Sequence, residues 1–265
     1  MSPPDEASPA STHEGGSLVA VGAGIRPGLH LTVETRRRIA RADDVLYLLA
    51  EAAPTSWIHE LNPSAESMID LYQPGRDQGE LYEELVERAL ERVRRGRNVC
   101  MVTYGNPAVF DDSCHEAVRR AKKEGFRAEL LPAVSAIDCL FTDLDVDPGR
   151  GGLQLYDAAD FLASERTPDT GVPLVLWQIT VVGETRTTDT VDRGGLRRLT
   201  DRLVDLYGPD HEVIVYEAAP FPVGGPTIEP MPLTELPAAP VPGLASLYVP
   251  PAGRGNASGS PDASA

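Results

Sequence analysis

Short apolar runs alternate with segments of helical period along most of this chain, the pattern of successive βα units. SLVAVGAG reads as a buried strand running into a glycine turn, and LTVETRRRIARA after it has helical spacing with Thr32 near its start. DVLYLLA predicts a second strand. Residues 79–95 place Tyr82, Val86, Ala89 and Val93 on one helical face with Leu81, Leu85 and Leu90 beside it, so this helix packs on a sheet. NVCMVTYG is a third strand, DDSCHEAVRRAKKEG an Asp/Ser-capped helix closed by a glycine, and FRAELLP a fourth strand. A helix at SAIDCLFTDL follows. After it come the strands LQLYDA, VPLVLWQIT, EVIVYEA, GPTIEPM and LASLYVPP, with a helix at GGLRRLTDRLVDLYG. The second half is richer in strands and turns, so the chain is expected to form an N-terminal α/β lobe over 17–134 and a C-terminal α/β lobe over 135–251. Residues 1–16 and 252–265 are Pro-, Ser-, Ala- and Gly-rich and lack apolar content, and are expected to be disordered tails.

Composition narrows the class of function. No apolar run approaches the roughly 20 residues of a membrane span, and MSPPDEASPASTHEGG has no basic or apolar signal region, so a cytoplasmic protein without a membrane partner is expected. With 24 basic and 40 acidic residues the formal charge is -16, which disfavours nucleic acid as a partner. The basic cluster worth naming, ERVRRGRN with Arg92, Arg94, Arg95 and Arg97, reads as a solvated helix end. Cys100, Cys114 and Cys139 have no CxxC spacing, which argues against a disulfide frame or a zinc site. His13, His30, His59, His115 and His211 have no paired spacing, so no metal is expected.

Three turns carry the candidate chemistry. In VGAGIRPG the glycines Gly22, Gly24 and Gly28 follow a strand and precede a helix, as in a dinucleotide loop. Their G-x-G-x-x-x-G spacing is one residue too long for that loop and favours a tight βα turn. VTYGNPAVF ends a strand in Gly-Asn-Pro, at the carboxyl edge where ligands of open α/β sheets bind; it is a turn alone or a turn with a ligand. LLPAVSAIDCLF turns from strand to helix at Pro132, where Ser135 is either a helix cap or a ligand contact. No G-x-S-x-G elbow is present, which excludes that hydrolase reading.

In their order and spacing, VGAGIRPGLHLT, YGNPAVF and LPAVSAIDCLF resemble the glycine turn, the SAM loop and the P-G-x-S motif of tetrapyrrole-methylase-fold methyltransferases. The closer likeness is to the borosin peptide backbone α-N-methyltransferases, through DLYQ, GNPAVF, EGFRAELLPAVSAIDCLFTDLDVDP, LWQI and SLYVPP, and it runs from about Ser17 to Pro251. The resemblance implies a two-lobed class III α/β fold with mixed sheets, S-adenosylmethionine (SAM) held in the cleft between the lobes, and a homodimer. Carried over by position, the SAM contacts would be Tyr104, Asn106, Val109, Ser135, Ala136, Gln178, Ala219 and Ser246. Asn106 stands where close relatives carry His, and Ala133 where the motif has Gly. The family's catalytic region reads Tyr, then Gly three residues on, Arg six on and Tyr ten on. Here Tyr72, Gly75 and Tyr82 keep those offsets, Gln78 occupies the arginine place, and Arg76 is the nearby substitute.

An amide nitrogen is a poor nucleophile because its lone pair is delocalised into the carbonyl. Its methylation therefore needs donors for charge developing on the carbonyl oxygen, which the phenols of Tyr72 and Tyr82 with a guanidinium could supply. The chain ends soon after Pro251, without the fused substrate of the fused borosins, so a separate precursor peptide is the expected partner. The alternatives are a methyltransferase of a small, tetrapyrrole-like molecule and a SAM-binding protein without transfer activity.

Overall fold

The computed structural model describes residues 15–49, 55–164, 166–188, 190–221 and 224–253. The expected tails therefore lie outside the described residues, apart from Gly15, Gly16, Ala252 and Gly253. The chain divides into two compact units, Met1–Leu71 with Glu80–Val134, and Tyr72–Gly79 with Ser135–Ala265.

In chain order the first unit's elements are β1 (Ser17–Gly22), α1 (Val33–Arg41), β2 (Asp44–Leu48), α2 (Ser56–Leu61), β3 (Ala65–Ser67), α3 (Gln78–Arg94), β4 (Asn98–Thr103), α4 (Asp112–Lys123) and β5 (Arg127–Leu130); the first two residues of α3 belong to the second unit. The strands form one sheet in the order β3-β2-β4-β1-β5, and every pairing in it is parallel. Side-chain alternation assigns the two faces. Leu18, Ala20, Leu46, Val99 and Met101 meet Leu81, Leu85 and Leu90 of α3 with Cys114 and Ala117 of α4. Val21, Val45, Tyr47, Cys100 and Val102 meet Ile39 of α1 and Ile58 of α2 on the opposite face. Helices on both faces explain why these strands read as unbroken apolar runs. The capping follows the sequence pattern: Thr35 N–H donates to Thr32 Oγ1 at 2.9 Å, Cys114 N–H donates to Asp111 at 3.0 Å, and Gly125, at φ +89, follows α4.

The second unit contains α5 (Ala136–Asp143), β6 (Gln154–Asp157), α6 (Ala158–Ala163), β7 (Leu174–Trp177), α7 (Arg193–Tyr207), β8 (Glu212–Glu217), β9 (Thr227–Pro232) and β10 (Ser246–Val249). Its sheet is mixed, in the order β6-β7-β10-β8-β9, with β6 parallel to β7 and the other pairs antiparallel. Leu174, Leu176, Val213, Val215, Leu247 and Val249 pack with Leu196, Leu199 and Leu203 of α7 in a separate core. Pro230 and Pro232 are tolerated in β9 because it is an edge strand, whose outer N–H positions need no partner.

Arg92, Arg94, Arg95 and Arg97 each pair with a carboxylate, of Glu66, Glu87 and Glu124, Glu91 and Asp44 respectively, so the basic cluster is a set of surface ion pairs. Cys100 and Cys114 are buried. Burial pushes the Cys100 thiol up to about 12 and also raises that of Cys114, while Cys139 is half-buried. Since the thiolate is the reactive species, a disulfide reagent at pH 8 should titrate at most Cys139 in the folded chain and all three thiols in guanidinium. Rapid modification of Cys100 or Cys114 without denaturant would show that the parallel sheet opens.

Candidate functional site

The three turns singled out in the sequence leave adjacent strands β4, β1 and β5 at the carboxyl edge of the first sheet. Gly24 and Gly105 exchange a pair of main-chain hydrogen bonds, each 3.1 Å, with both residues at positive φ. Ala23 N–H donates to Thr103 O at 2.8 Å and Leu131 N–H to Ala20 O at 2.9 Å, tying the turns to the strand ends. All three meet at Gly22. A Cβ there would lie 2.0 Å from Gly105 O, 2.6 Å from Ala133 Cβ and 2.9 Å from Pro107 Cδ. Only glycine lets the chains approach so closely. The alanine that stands in the P-G-x-S position is itself one of the atoms closing on Gly22.

This convergence sets the loop holding Tyr104, Asn106 and Val109. Asn106 braces it from within: Ala108 N–H donates to Asn106 Oδ1 at 3.0 Å and Val109 N–H to the Asn106 carbonyl at 2.9 Å. The amide nitrogen of Asn106 makes no hydrogen bond among the described residues. Phe110, at φ 55 and exposed, then turns the chain into the Asp111 cap of α4. His30, in the glycine turn, accepts from Arg26 N–H at 3.3 Å through Nδ1; burial, with Arg26 adding to it, lowers its pKa and favours the neutral ring.

In the second unit, Ser135 precedes α5 and Ala136 opens it. The Asp138 carboxylate accepts from Ser135 N–H at 2.7 Å and from Ser135 Oγ at 3.1 Å, so Ser135 serves as a helix cap. Antiparallel pairing of β10 with β7 and β8 brings the carboxyl ends of those two strands beside the start of β10. Gln178, Ala219 and Ser246 therefore share one sheet edge. Gln178 stands there exposed at φ 55, while Ala219 and Ser246 are buried. Tyr216 donates its hydroxyl to Asp143 at 2.7 Å, fastening the end of α5 to β8.

Of the catalytic candidates, Tyr72, Arg76 and Gln78 belong to the second unit and Tyr82, four residues after Gln78 along α3, to the first. Tyr82 packs beside the core of α3 and α4. Tyr72 is 43% exposed, and the partial burial of its ring raises the phenol above its ordinary value, keeping it a donor at neutral pH. Its loop is zipped to residues 185–187. Gly75 N–H donates to Thr187 O at 2.7 Å, Thr187 N–H to Arg76 O at 2.8 Å, Gln78 N–H to Thr185 O at 2.9 Å and Arg76 N–H to Thr187 Oγ1 at 3.1 Å, with Thr187 Oγ1 also donating to Gln73 O. Asp77 and Arg186 form an antiparallel bridge, and Arg186 Nη1 donates to Gly75 O at 2.7 Å. Sequence reasoning missed Arg186 and the buried Thr187. They lie in a polar stretch, ETRTTDT, without periodicity.

Residues 17–236 match the family model of Tetrapyrrole (Corrin/Porphyrin) Methylases. Over 217 residues the chain is 37% identical to a methyltransferase/ribosomally synthesized type I borosin cyclic peptide precursor of Coprinopsis marcescibilis, covering 81% of this chain and 56% of that protein. It is 35% identical over 244 residues to a methyltransferase/ribosomally synthesized cyclic peptide omphalotin A precursor of Omphalotus olearius, covering 90% and 58%. The chain thus spans little more than half the length of these relatives. Among solved structures, a uroporphyrin-III-C-methyltransferase of Thermus thermophilus matches with TM-score 0.65 at 21% identity, over 90% of this chain and 93% of that one. A cobalt precorrin-4 methyltransferase matches with TM-score 0.65 at 19% identity, over 92% and 97%. At such identities the likeness is one of fold.

The convergence at Gly22 has a measurable consequence. Gly22→Ala should destabilise the chain by about 2–3 kcal/mol through overpacking against main-chain atoms that cannot move away, read as a lower midpoint in urea. Gly96→Ala, where no atom lies within 4 Å but φ is +81, is a backbone-strain control without the packing clash. An unchanged midpoint for Gly22→Ala would mean the three turns are not packed as described.

Proposed function

Because the chain belongs to the tetrapyrrole (corrin/porphyrin) methylase family, we propose that it is a SAM-dependent methyltransferase acting on backbone amide nitrogens of a peptide. The observation that carries this reading is the match, over 90% of the chain in one case, to relatives named as methyltransferase and ribosomal peptide precursor. Tyr104, Asn106 with its uncommitted amide nitrogen, and Val109 are read as SAM contacts of the first unit, and Ser135, Ala136, Gln178, Ala219 and Ser246 as those of the second, by the resemblance. When bound, SAM offers a sulfonium methyl: a nitrogen–carbon bond forms as the sulfur–carbon bond breaks, and the electron pair stays on sulfur.

The protein's task in this reaction is to make the amide nitrogen competent. As the amide proton passes to solvent, negative charge builds on the amide oxygen in an imidate-like form, and the nitrogen freed of its proton makes the new bond. The Tyr72 phenol, held protonated, would donate to that oxygen, with Tyr82 as the second donor and the loop 72–79 as the frame. A neutral Gln78 can donate a hydrogen bond but brings no charge. That feature favours the second reading, a SAM-binding protein without transfer. The acceptor is read as a separate peptide chain and the active form as a homodimer, the latter to be checked by sedimentation.

Incubation with SAM and a precursor peptide encoded beside this chain, followed by fragmentation mass spectrometry, should show methyl mass steps on backbone fragments. SAM binding with no mass step on any peptide would establish the second reading instead. Tyr72→Phe should lower kcat by roughly 10²-fold at unchanged SAM affinity. Because the Tyr72 pKa is raised, its donor form persists through neutral and mildly alkaline pH and is lost only as pH climbs past that raised value. The alkaline fall in kcat should therefore lie above pH ~10, the ordinary phenol value, and a fall near pH 8 would remove Tyr72 from the donor role.

A further inference from the structure

We propose that Arg186 supplies the positive charge of the acceptor site, from a segment more than a hundred residues away from the position where that charge was expected; this rests on the reading of the chain as an amide methyltransferase. The main-chain zipper fixes the placement. Asp77, the residue before Gln78, bridges directly to Arg186, and hydrogen bonds on either side, Gln78 to Thr185 and Gly75 with Arg76 to Thr187, leave no freedom of register between the segments. Thr187, only 3% exposed, locks the pairing from beneath through its hydroxyl.

The guanidinium itself is turned onto this loop, donating from Nη1 to Gly75 O at 2.7 Å. A guanidinium carries five N–H donors in a planar fork, so one contact leaves most of them available. Arg186 is exposed and pairs with no carboxylate among the described residues. That sets it apart from Arg92, Arg94, Arg95, Arg97, Arg119 and Arg120, each neutralised by an acidic neighbour. In a chain of formal charge -16, an unneutralised guanidinium fixed to the loop that carries Tyr72 is suited to an acceptor oxygen gaining negative charge. In the step, the amide nitrogen bonds to the methyl carbon, the methyl–sulfur bond breaks with its pair kept by sulfur, the amide proton leaves to solvent, and Arg186 faces the oxygen on which charge builds.

The test compares Arg186→Ala and Arg186→Gln with the unaltered full chain, reading kcat, KM for the precursor peptide, calorimetric SAM affinity and the thermal midpoint. The expected result is a kcat lower by roughly 10²-fold with SAM affinity and midpoint unchanged. Added guanidinium ion should recover part of the rate of the alanine variant, and introducing Gln78→Arg should recover part of that of Arg186→Gln. Unchanged kcat overturns the proposal while leaving peptide methylation standing, as does a loss of rate that only follows loss of SAM binding or thermal stability, because Arg186 would then merely cap Gly75. If the unaltered chain methylates no precursor peptide, the functional reading itself fails and the role of Arg186 falls with it.

Discussion

The absence of a side chain at Gly22 is the constraint on which the candidate site depends. A single methyl group there would sit 2.0 Å from a carbonyl oxygen, so the turns after β1, β4 and β5 can meet only because this residue is glycine. Their meeting fixes the reciprocal Gly24–Gly105 bonds, which hold the loop carrying Tyr104, Asn106 and Val109 against the strand ends. The parallel sheet then contributes what parallel sheets contribute generally, a carboxyl edge where turns from non-consecutive strands lie side by side.

The second unit reaches a comparable result by antiparallel pairing. β10 runs opposite to β7 and β8, so the start of one strand lies beside the ends of two others, and Gln178, Ala219 and Ser246 come to one edge from segments far apart in sequence. The loop 72–79 precedes all the other parts of this unit by more than fifty residues, yet it is held by a zipper whose central hydroxyl belongs to Thr187. The candidate cofactor loop and the loop 72–79 thus rest on different devices. Glycine packing serves the former and main-chain pairing the latter.

What was legible in the sequence follows from this difference. Strands buried on both faces must be apolar throughout, and turns that bring backbones together must carry glycine, so β1, β4, β5 and their turns stood out, as did the amphipathic α3. The Asp111 and Thr32 caps were readable because their signals are local. The sequence left Ser135 as a helix cap or a ligand contact, and the structure shows Asp138 closing the capping box. By contrast α2 and α6, each of six residues, and the three-residue β3 are too short to display a period. The pairing of Arg76 with Thr187 spans 111 positions and joins main-chain atoms and one hydroxyl of an aperiodic polar stretch, which leaves no trace in hydrophobic pattern. For that reason the main-chain bridge between Asp77 and Arg186, beside Gln78, could not be read from the sequence.

The three turns meeting at Gly22 are proposed to form part of a SAM site. Calorimetric titration of SAM into the full chain, with S-adenosylhomocysteine as the paired ligand, tests it most directly. Both should bind saturably at one site per chain, with affinity weakened in Gly105→Ala, where the new Cβ meets only Ile25 Cδ1, at 3.7 Å, but the φ of +70 disfavours any side chain. Absence of binding by a folded, monodisperse chain would contradict it.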